Sequence, residues 1–134
     1  MNRPLTIHGI PDELLAAYGL RRGGATTPSY RSNDPDAVLM PLAEVTGPEH
    51  RKLNEDALRS LLRGLRDGAE LPPIIVFREP CAASAVLLDG MHRWRLSLAL
   101  GFAAIPAIQP TRDDAELVSL SSAAGRAALA LRLT

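Results

Sequence analysis

The feature that most constrains the fold is the stretch over residues 86–101, where an apolar run, a break and a helical segment follow one another directly. The apolar run at residues 86–88 predicts a buried strand, which Asp89 and Gly90 end. A helix-compatible segment follows and stops at Gly101. The sequence therefore predicts a strand, a tight turn and a helix N-terminus in immediate succession.

The start of this helix is suited to bind an anion. The first N–H groups of a helix have no intrahelical acceptor and lie at the positive end of the helix dipole. His92, Arg93 and Arg95 add cations to the first turns, where the dipole disfavours each by roughly 0.3–1 kcal/mol. A negatively charged ligand would offset that cost. In the alternative interpretation, Asp89 is a simple N-cap and the basic residues form a solvated rim or pair with carboxylates elsewhere.

The rest of this helix is predicted to be buried. At about 100° per residue, Trp94 and Leu98 share one face, and Leu96 and Leu100 share another. Only the first turn remains free for chemistry. Trp94, the single tryptophan, is therefore expected in the core.

The other elements predict a small α/β domain. Leucines at positions 58, 61, 62 and 65 predict a helix that Asn54 caps and Gly68 ends. The remaining predictions are a short helix at 12–18, an edge strand at 37–42, a central strand at 74–77 in a hairpin with 86–88, a strand at 103–108 and a helix at 112–132. We expect one domain over 1–134, with a core at about 37–110 and an N-terminal helix and surface loop over 1–36.

The charge balance excludes a strongly basic protein. Lys and Arg number 15, and Asp and Glu number 15, so the formal net charge is zero and attraction for polyanions must be local. The single cysteine, Cys81, excludes an internal disulfide and favours a reducing compartment. We find no long apolar span or leader, and so expect a cytoplasmic protein without membrane contact.

Three motifs carry a family resemblance. They lie at residues 48–58, 68–76 and 88–95, and Gly101 and an Ile-Pro pair at 105–106 follow. Together they resemble the ParB/sulfiredoxin superfamily over about residues 37–110. The resemblance implies an α/β (α+β) fold, a small mixed sheet flanked by helices, in a bacterial-type protein.

The same resemblance implies a nucleotide site. Gly90, Met91, His92 and Arg93 match the turn that holds nucleotide phosphates, with backbone N–H groups of Met91 and Arg93 available. Arg51 matches the basic residue that precedes the first family helix. The implied ligand is a nucleoside triphosphate or diphosphate such as ATP or CTP, with or without Mg²⁺. We assign no metal ligands in the protein.

Met91 narrows the chemistry. Sulfiredoxins carry their catalytic cysteine at this position, so sulfinic-acid reduction is not expected. Partition proteins carry a glutamate there, and a thioether supplies no oxygen ligand for a hard cation. We also expect no helix-turn-helix or dimerisation domain of the partition type. The turn instead resembles relatives that include free-serine kinases and singly encoded ParB-like proteins.

The sequence is compatible with three functions. The first is nucleotide binding with phosphoryl transfer or NTP hydrolysis, for which Glu44, Glu49, Glu55 and Asp89 are candidate catalytic carboxylates. The second is a nucleic-acid-binding or nuclease module, not favoured by the neutral charge. Its basic groove and stacking groups would be Arg21, Arg22, Arg31, Arg51 and Lys52 with Tyr18, Tyr30 and Trp94. The third is a regulatory or toxin-antitoxin-type protein that forms a homodimer or binds a protein partner through the C-terminal helix.

Overall fold

The structure is a computed structural model that describes residues 9–110. Its helices are α1 (Asp12–Ala16), α2 (Glu55–Arg66) and α3 (Met91–Leu100). Its strands are β1 (Val38–Pro41), β2 (Val45–Thr46), β3 (Ile74–Phe77), β4 (Ala85–Asp89) and β5 (Ala104–Ile108), with a 3-10 turn at Leu42–Glu44. The predicted helix at 112–132, and with it the predicted partner surface, lies outside the described residues. Within residues 9–110, none of the helices combines the length and apolarity needed to cross a membrane.

The strands form one mixed sheet in the order β1-β5-β3-β4-β2. β1 runs antiparallel to β5, and β5 runs parallel to β3. β3 and β4 form the predicted antiparallel hairpin, and β2 adds a parallel pair to β4. This mixed sheet with flanking helices confirms the predicted fold class.

The position of each strand follows from its side chains. Ile74 and Val76 of β3 are fully buried, as a central strand requires. Pro41 belongs to the edge strand β1, where its missing N–H costs no ladder bond. The prediction that residues 86–88 are buried is wrong for Val86, which is 52% exposed. The physical reason is the alternation of side chains along a strand: Ala85 points into the core, so Val86 points to the opposite face of the sheet, although it pairs with both β2 and β3.

Helix α3 lies between two hydrophobic clusters. Trp94 packs with the sheet residues, whereas Leu96 and Leu100 pack with α1 and α2. This confirms that the helix is buried beyond its first turn. Arg95 is also buried, at 4% exposure, and this corrects the expectation that it belongs to an exposed cationic cluster.

Helix α2 begins and ends as predicted. The Asn54 side chain accepts a hydrogen bond from the Ala57 N–H at 2.9 Å, so Asn54 is the N-cap. Gly68 follows the helix with a φ of 72°, in the left-handed conformation typical of helix ends.

The loop over residues 21–36 was predicted to be a long surface connection, and this is wrong for its middle. Tyr30 is buried at 5% exposure, and its hydroxyl donates to the Pro72 carbonyl at 2.7 Å. The Gly23 N–H donates to the Ala99 carbonyl at 3.0 Å, close to the C-terminus of α3. The loop is therefore attached to the core at both positions, because long-range contacts outweigh its polar composition.

We predict that Tyr30→Phe lowers the free energy of unfolding by about 0.5–1.5 kcal/mol at neutral pH, because it removes the hydrogen bond to Pro72. Burial raises the pKa of Tyr30 from 10.0 to about 12, while the charge of Arg93 acts in the opposite direction. Since the unfolded chain ionises first, the stability that Tyr30 provides below pH 10.0 is lost as the pH rises towards about 12.

Urea unfolding at about pH 8 and about pH 11 tests this prediction. Tyr18→Phe is the matched control, since Tyr18 is only half-buried and its hydroxyl accepts from Arg59 at 3.5 Å. The Tyr30 variant should lose less stability between the two pH values than the parent protein. Equal pH dependence in both variants would contradict the assignment.

Candidate functional site

The turn between β4 and α3 is built on Gly90. Its φ of 103° lies in the left-handed region, and it serves as the N-cap of α3. A Cβ at this position would lie 2.7 Å from Cγ2 of Ile74 on β3. Glycine is therefore required both by the backbone conformation and by the close approach of the neighbouring strand.

The first turn of α3 offers backbone donors that have no acceptor within the helix. Its first internal hydrogen bond runs from the Trp94 N–H to the Gly90 carbonyl at 2.9 Å. The N–H groups of Met91, His92 and Arg93 precede that bond and have no intrahelical acceptor. The N-cap, Gly90, has no side chain with which to cap the helix, and the first turn of α3 contains no acidic residue. The positive end of the dipole is thus uncompensated from within the helix.

Arg93 lies over this turn. A Cβ at Gly90 would be 3.0 Å from Nη2 of Arg93, so the guanidinium folds back towards the glycine. Its charge also acts on Tyr30, whose pKa it lowers against the larger effect of burial. Tyr30 was not predicted at this site, because its loop carries no regular pattern that would bring it to the turn.

His92 makes a contact that the sequence did not predict. Its Nε2 accepts a hydrogen bond from the backbone N–H of Asn54 at 2.9 Å. Burial, and then the charges of Arg95 and Arg93, lower the pKa of His92 below its usual 6.5. The imidazole is therefore a neutral acceptor at pH 7, which corrects its expected contribution of a positive charge to the first turn.

Arg95 is held beneath the segment that precedes α2. Its Nη1 donates to the carbonyl of Arg51. Burial lowers the pKa of this guanidinium, and the carboxylate of Glu49 acts in the opposite direction. Arg95 is thus an internal support of residues 51–54, and Arg93 is the arginine that remains over the turn.

Arg51 opens onto a cavity of about 520 Å³. This cavity lies between α1, residues 50–53, the start of α2 and Arg95. Lys52 and Arg59 also line it, with Glu13 and Glu55 as the carboxylates. Residues 90–93 do not line it, so the structure brings the Arg51 backbone to α3 while the Arg51 side chain faces the neighbouring cavity.

The candidate carboxylates lie in three different settings. Glu44 pairs with Arg78 at 3.2 Å, and Glu55 pairs with Arg59 at 3.0 Å, four residues along the same helix. Asp89 is the last residue of β4, half-buried, and comes directly before Gly90. It is not the N-cap of α3, which is Gly90. Among the described residues, no group of three or more His, Cys, Asp or Glu side chains is arranged to hold a metal ion.

The stacking groups expected of a nucleic-acid groove do not form a surface. Trp94 and Tyr30 are 2% and 5% exposed. The Tyr18 ring is covered by the guanidinium of Arg66, 5.6 Å from its centroid. Arg22 of the predicted groove is paired with Asp12 at 2.8 Å. The physical reason is that the aromatic rings contribute more as packing within a core that contains few of them.

Comparisons with solved structures identify the fold. A mutant free serine kinase in complex with ADP matches with a TM-score of 0.50 and 20% identity, over 63% of this chain and 36% of that chain. The chain has the ParB/sulfiredoxin fold. This chain thus spans little more than a third of the length of that kinase.

Two further structures match with lower scores. Sulfiredoxin from Arabidopsis thaliana has a TM-score of 0.48 and 22% identity, over 57% of this chain and 86% of that chain. The C-terminally truncated chromosome-partitioning protein ParB from Caulobacter crescentus, complexed with CTP-gamma-S, has a TM-score of 0.49 and 23% identity, over 63% of this chain and 49% of that chain. No protein-family model and no curated protein sequence matches the chain.

We predict that Gly90→Ala destabilises the protein more than Gly68→Ala does. Both positions have positive φ, but a Cβ at Gly90 meets Ile74 at 2.7 Å, whereas one at Gly68 has nothing within 4 Å. Gly68→Ala should cost about 1–2 kcal/mol from the backbone alone, and Gly90→Ala at least about 1 kcal/mol more because strand and turn must separate. Chemical denaturation measures both, and equal costs would contradict the close packing of the turn.

Proposed function

We propose that this protein binds a nucleotide through its phosphates at the N-terminus of α3. The observation that carries the proposal is the uncompensated helix N-terminus with the guanidinium of Arg93 folded over Gly90. Backbone N–H groups and a planar guanidinium are the donors that phosphate oxygens accept from most effectively. A bound phosphate would also offset the cost of placing Arg93 at the positive end of the dipole.

The proposal is supported by the fold and by the sequence of the turn. Residues 89–95 resemble the phosphate-binding turn of the ParB/sulfiredoxin superfamily. The free serine kinase that shares the fold was solved in complex with ADP. The donor set suits di- and triphosphates without regard to the base, because its contacts are backbone N–H groups and a guanidinium. Mg²⁺, if required, would be held mainly by the phosphate oxygens and water.

We predict that Arg93→Ala weakens nucleotide binding by at least about tenfold, as expected for the loss of a charge-assisted hydrogen bond worth about 1.5–3 kcal/mol. Arg63→Ala is the matched control, because Arg63 is an exposed arginine in the last turn of α2. Isothermal titration of ATP, ADP and CTP, each with and without Mg²⁺, measures the effect. Absence of heat with all of them at millimolar concentration would overturn the proposal, and an unchanged dissociation constant in the Arg93 variant would overturn the assignment of that residue.

A finer proposal concerns catalysis. Asp89 is the candidate carboxylate that lies next to the turn in the chain, and it forms no ion pair with the residues that the structure describes. A carboxylate beside bound phosphates can orient or deprotonate a nucleophile such as water or a hydroxyl group. Glu44 and Glu55 are already paired with arginines, so they are weaker candidates.

If Asp89 has this role, Asp89→Asn should reduce phosphate release from ATP by roughly 10²-fold or more, since general-base catalysis contributes roughly 10²–10⁴-fold. The same change removes a negative charge near the phosphates, so nucleotide affinity should stay equal or increase. Phosphate release and the dissociation constant are measured on the same preparations, with Glu44→Gln as the control. Unchanged phosphate release in the Asp89 variant would exclude Asp89 as the base.

A further inference from the structure

We propose that His92 acts in nucleotide binding as a neutral positioning residue, which accepts the backbone N–H of Asn54 and thereby holds the start of α2 against the phosphate site. This inference rests on the proposed nucleotide binding and changes the role of one of its residues. A histidine in a phosphate-binding turn is ordinarily interpreted as a cation that contacts the phosphates. The geometry of this chain points instead to the neutral form of His92.

The contact requires the unprotonated ring nitrogen. The Asn54 N–H donates to Nε2 of His92 at 2.9 Å, so Nε2 must present its lone pair and the proton must lie on Nδ1. Asn54 is at the same time the N-cap of α2, with its Oδ1 accepting from the Ala57 N–H at 2.9 Å. The backbone N–H of Asn54 and the N–H of Ala57, one of the first donors of α2, are thus both satisfied through Asn54, at this junction between α2 and α3.

The same face of α3 supports the segment at a second point. Arg95 lies three residues after His92, one helical turn along, and donates to the Arg51 carbonyl. Residues 51–54 are therefore attached to α3 at both ends, by an acceptor from His92 and a donor from Arg95. The two contacts therefore fix the backbone of residues 51–54 relative to the N-terminus of α3.

The charges around His92 favour the neutral form. Partial burial lowers the pKa of His92, and the charges of Arg95 and Arg93 on α3 lower that pKa further. From the facing segment, Lys52 adds another cation, while the carboxylates are Glu55 and Asp56 in the first turn of α2. A protonated imidazole would place an N–H donor opposite the Asn54 N–H donor and break the junction.

The two roles predict opposite responses to acid. A phosphate-binding cation gains charge as the pH falls, so nucleotide affinity would rise. A positioning acceptor loses its lone pair, so affinity would fall as the junction opens. Protonation of the nucleotide itself also weakens binding at low pH, and a reference variant that cannot titrate at this position removes that contribution.

The test compares the parent protein with His92→Gln and His92→Lys, using ATP with Mg²⁺ as the probe. Gln presents an amide oxygen near the position of Nε2 and stays neutral, whereas Lys keeps a cation and has no acceptor. We expect His92→Gln to bind within about threefold of the parent protein at pH 7.5, and His92→Lys to lose about tenfold or more. If His92→Lys retains the ATP affinity of the parent protein and His92→Gln loses it, the proposal is overturned.

The pH arm does not depend on the Lys variant folding. Between pH 7.5 and about pH 5.5, the affinity of the parent protein should fall more than that of His92→Gln. A parent protein whose affinity rises on acidification relative to His92→Gln would show that His92 acts as a cation.

A stability measurement separates failure of this inference from failure of nucleotide binding. Because the pKa of His92 is lowered in the folded state, the unfolded chain binds the proton first as the pH falls below 6.5. The parent protein should therefore lose more stability than His92→Gln between pH 7.5 and about pH 5.5, without any nucleotide. Equal stability changes in the two proteins would contradict the proposed contact between His92 and Asn54. An absence of ATP binding by the parent protein would instead contradict the proposed function.

Discussion

The burial of α3 on two sides is the constraint on which the rest of the structure depends. Trp94 packs against the sheet and Leu96 packs against α1 and α2, so the helix can neither rotate nor shift without exposing one of the two hydrophobic clusters. Interiors packed at crystal-like density resist such movement. The helix N-terminus is consequently held in one position.

Because α3 is fixed in this way, the two arginines that follow the turn have different roles, one available to a ligand and one structural. Arg93 lies over Gly90 at the open end of the helix, where a ligand could share its donors. Arg95, two residues later, points beneath residues 51–54 and donates to a backbone carbonyl. The difference follows from helical periodicity, since two residues span about 200° of rotation. Arg93 and Arg95 look equivalent in the sequence, but the first is available to a ligand and the second supports the backbone.

The hydrogen bond between His92 and Asn54 also depends on the fixed position of α3. His92 and Asn54 are 38 residues apart in the chain, yet one hydrogen bond brings the starts of their two helices together. The acidic first turn of α2 compensates its own dipole, whereas α3 has no such residue. An anion is therefore attracted to the start of α3 more than to that of α2.

The sequence by itself determined the elements whose causes are local. Leucine spacing and the Asn54 cap defined α2, Gly90 and Gly101 delimited α3, and the apolar run of β3 marked a central strand. The resemblance of residues 89–95 to a phosphate-binding turn also indicated the start of α3 as the candidate site. Each of these depends on residues within a few positions of one another, and a pattern can record such effects.

Only the tertiary structure decided the features that arise from distant contacts. Tyr30 is buried because Pro72 supplies an acceptor, and Arg95 is buried because the Arg51 carbonyl lies above it. His92 is neutral because it is partly buried, because two guanidiniums lie nearby, and because Asn54 presents a donor to it. Burial and protonation depend on the full three-dimensional surroundings of a side chain, which no local spacing specifies.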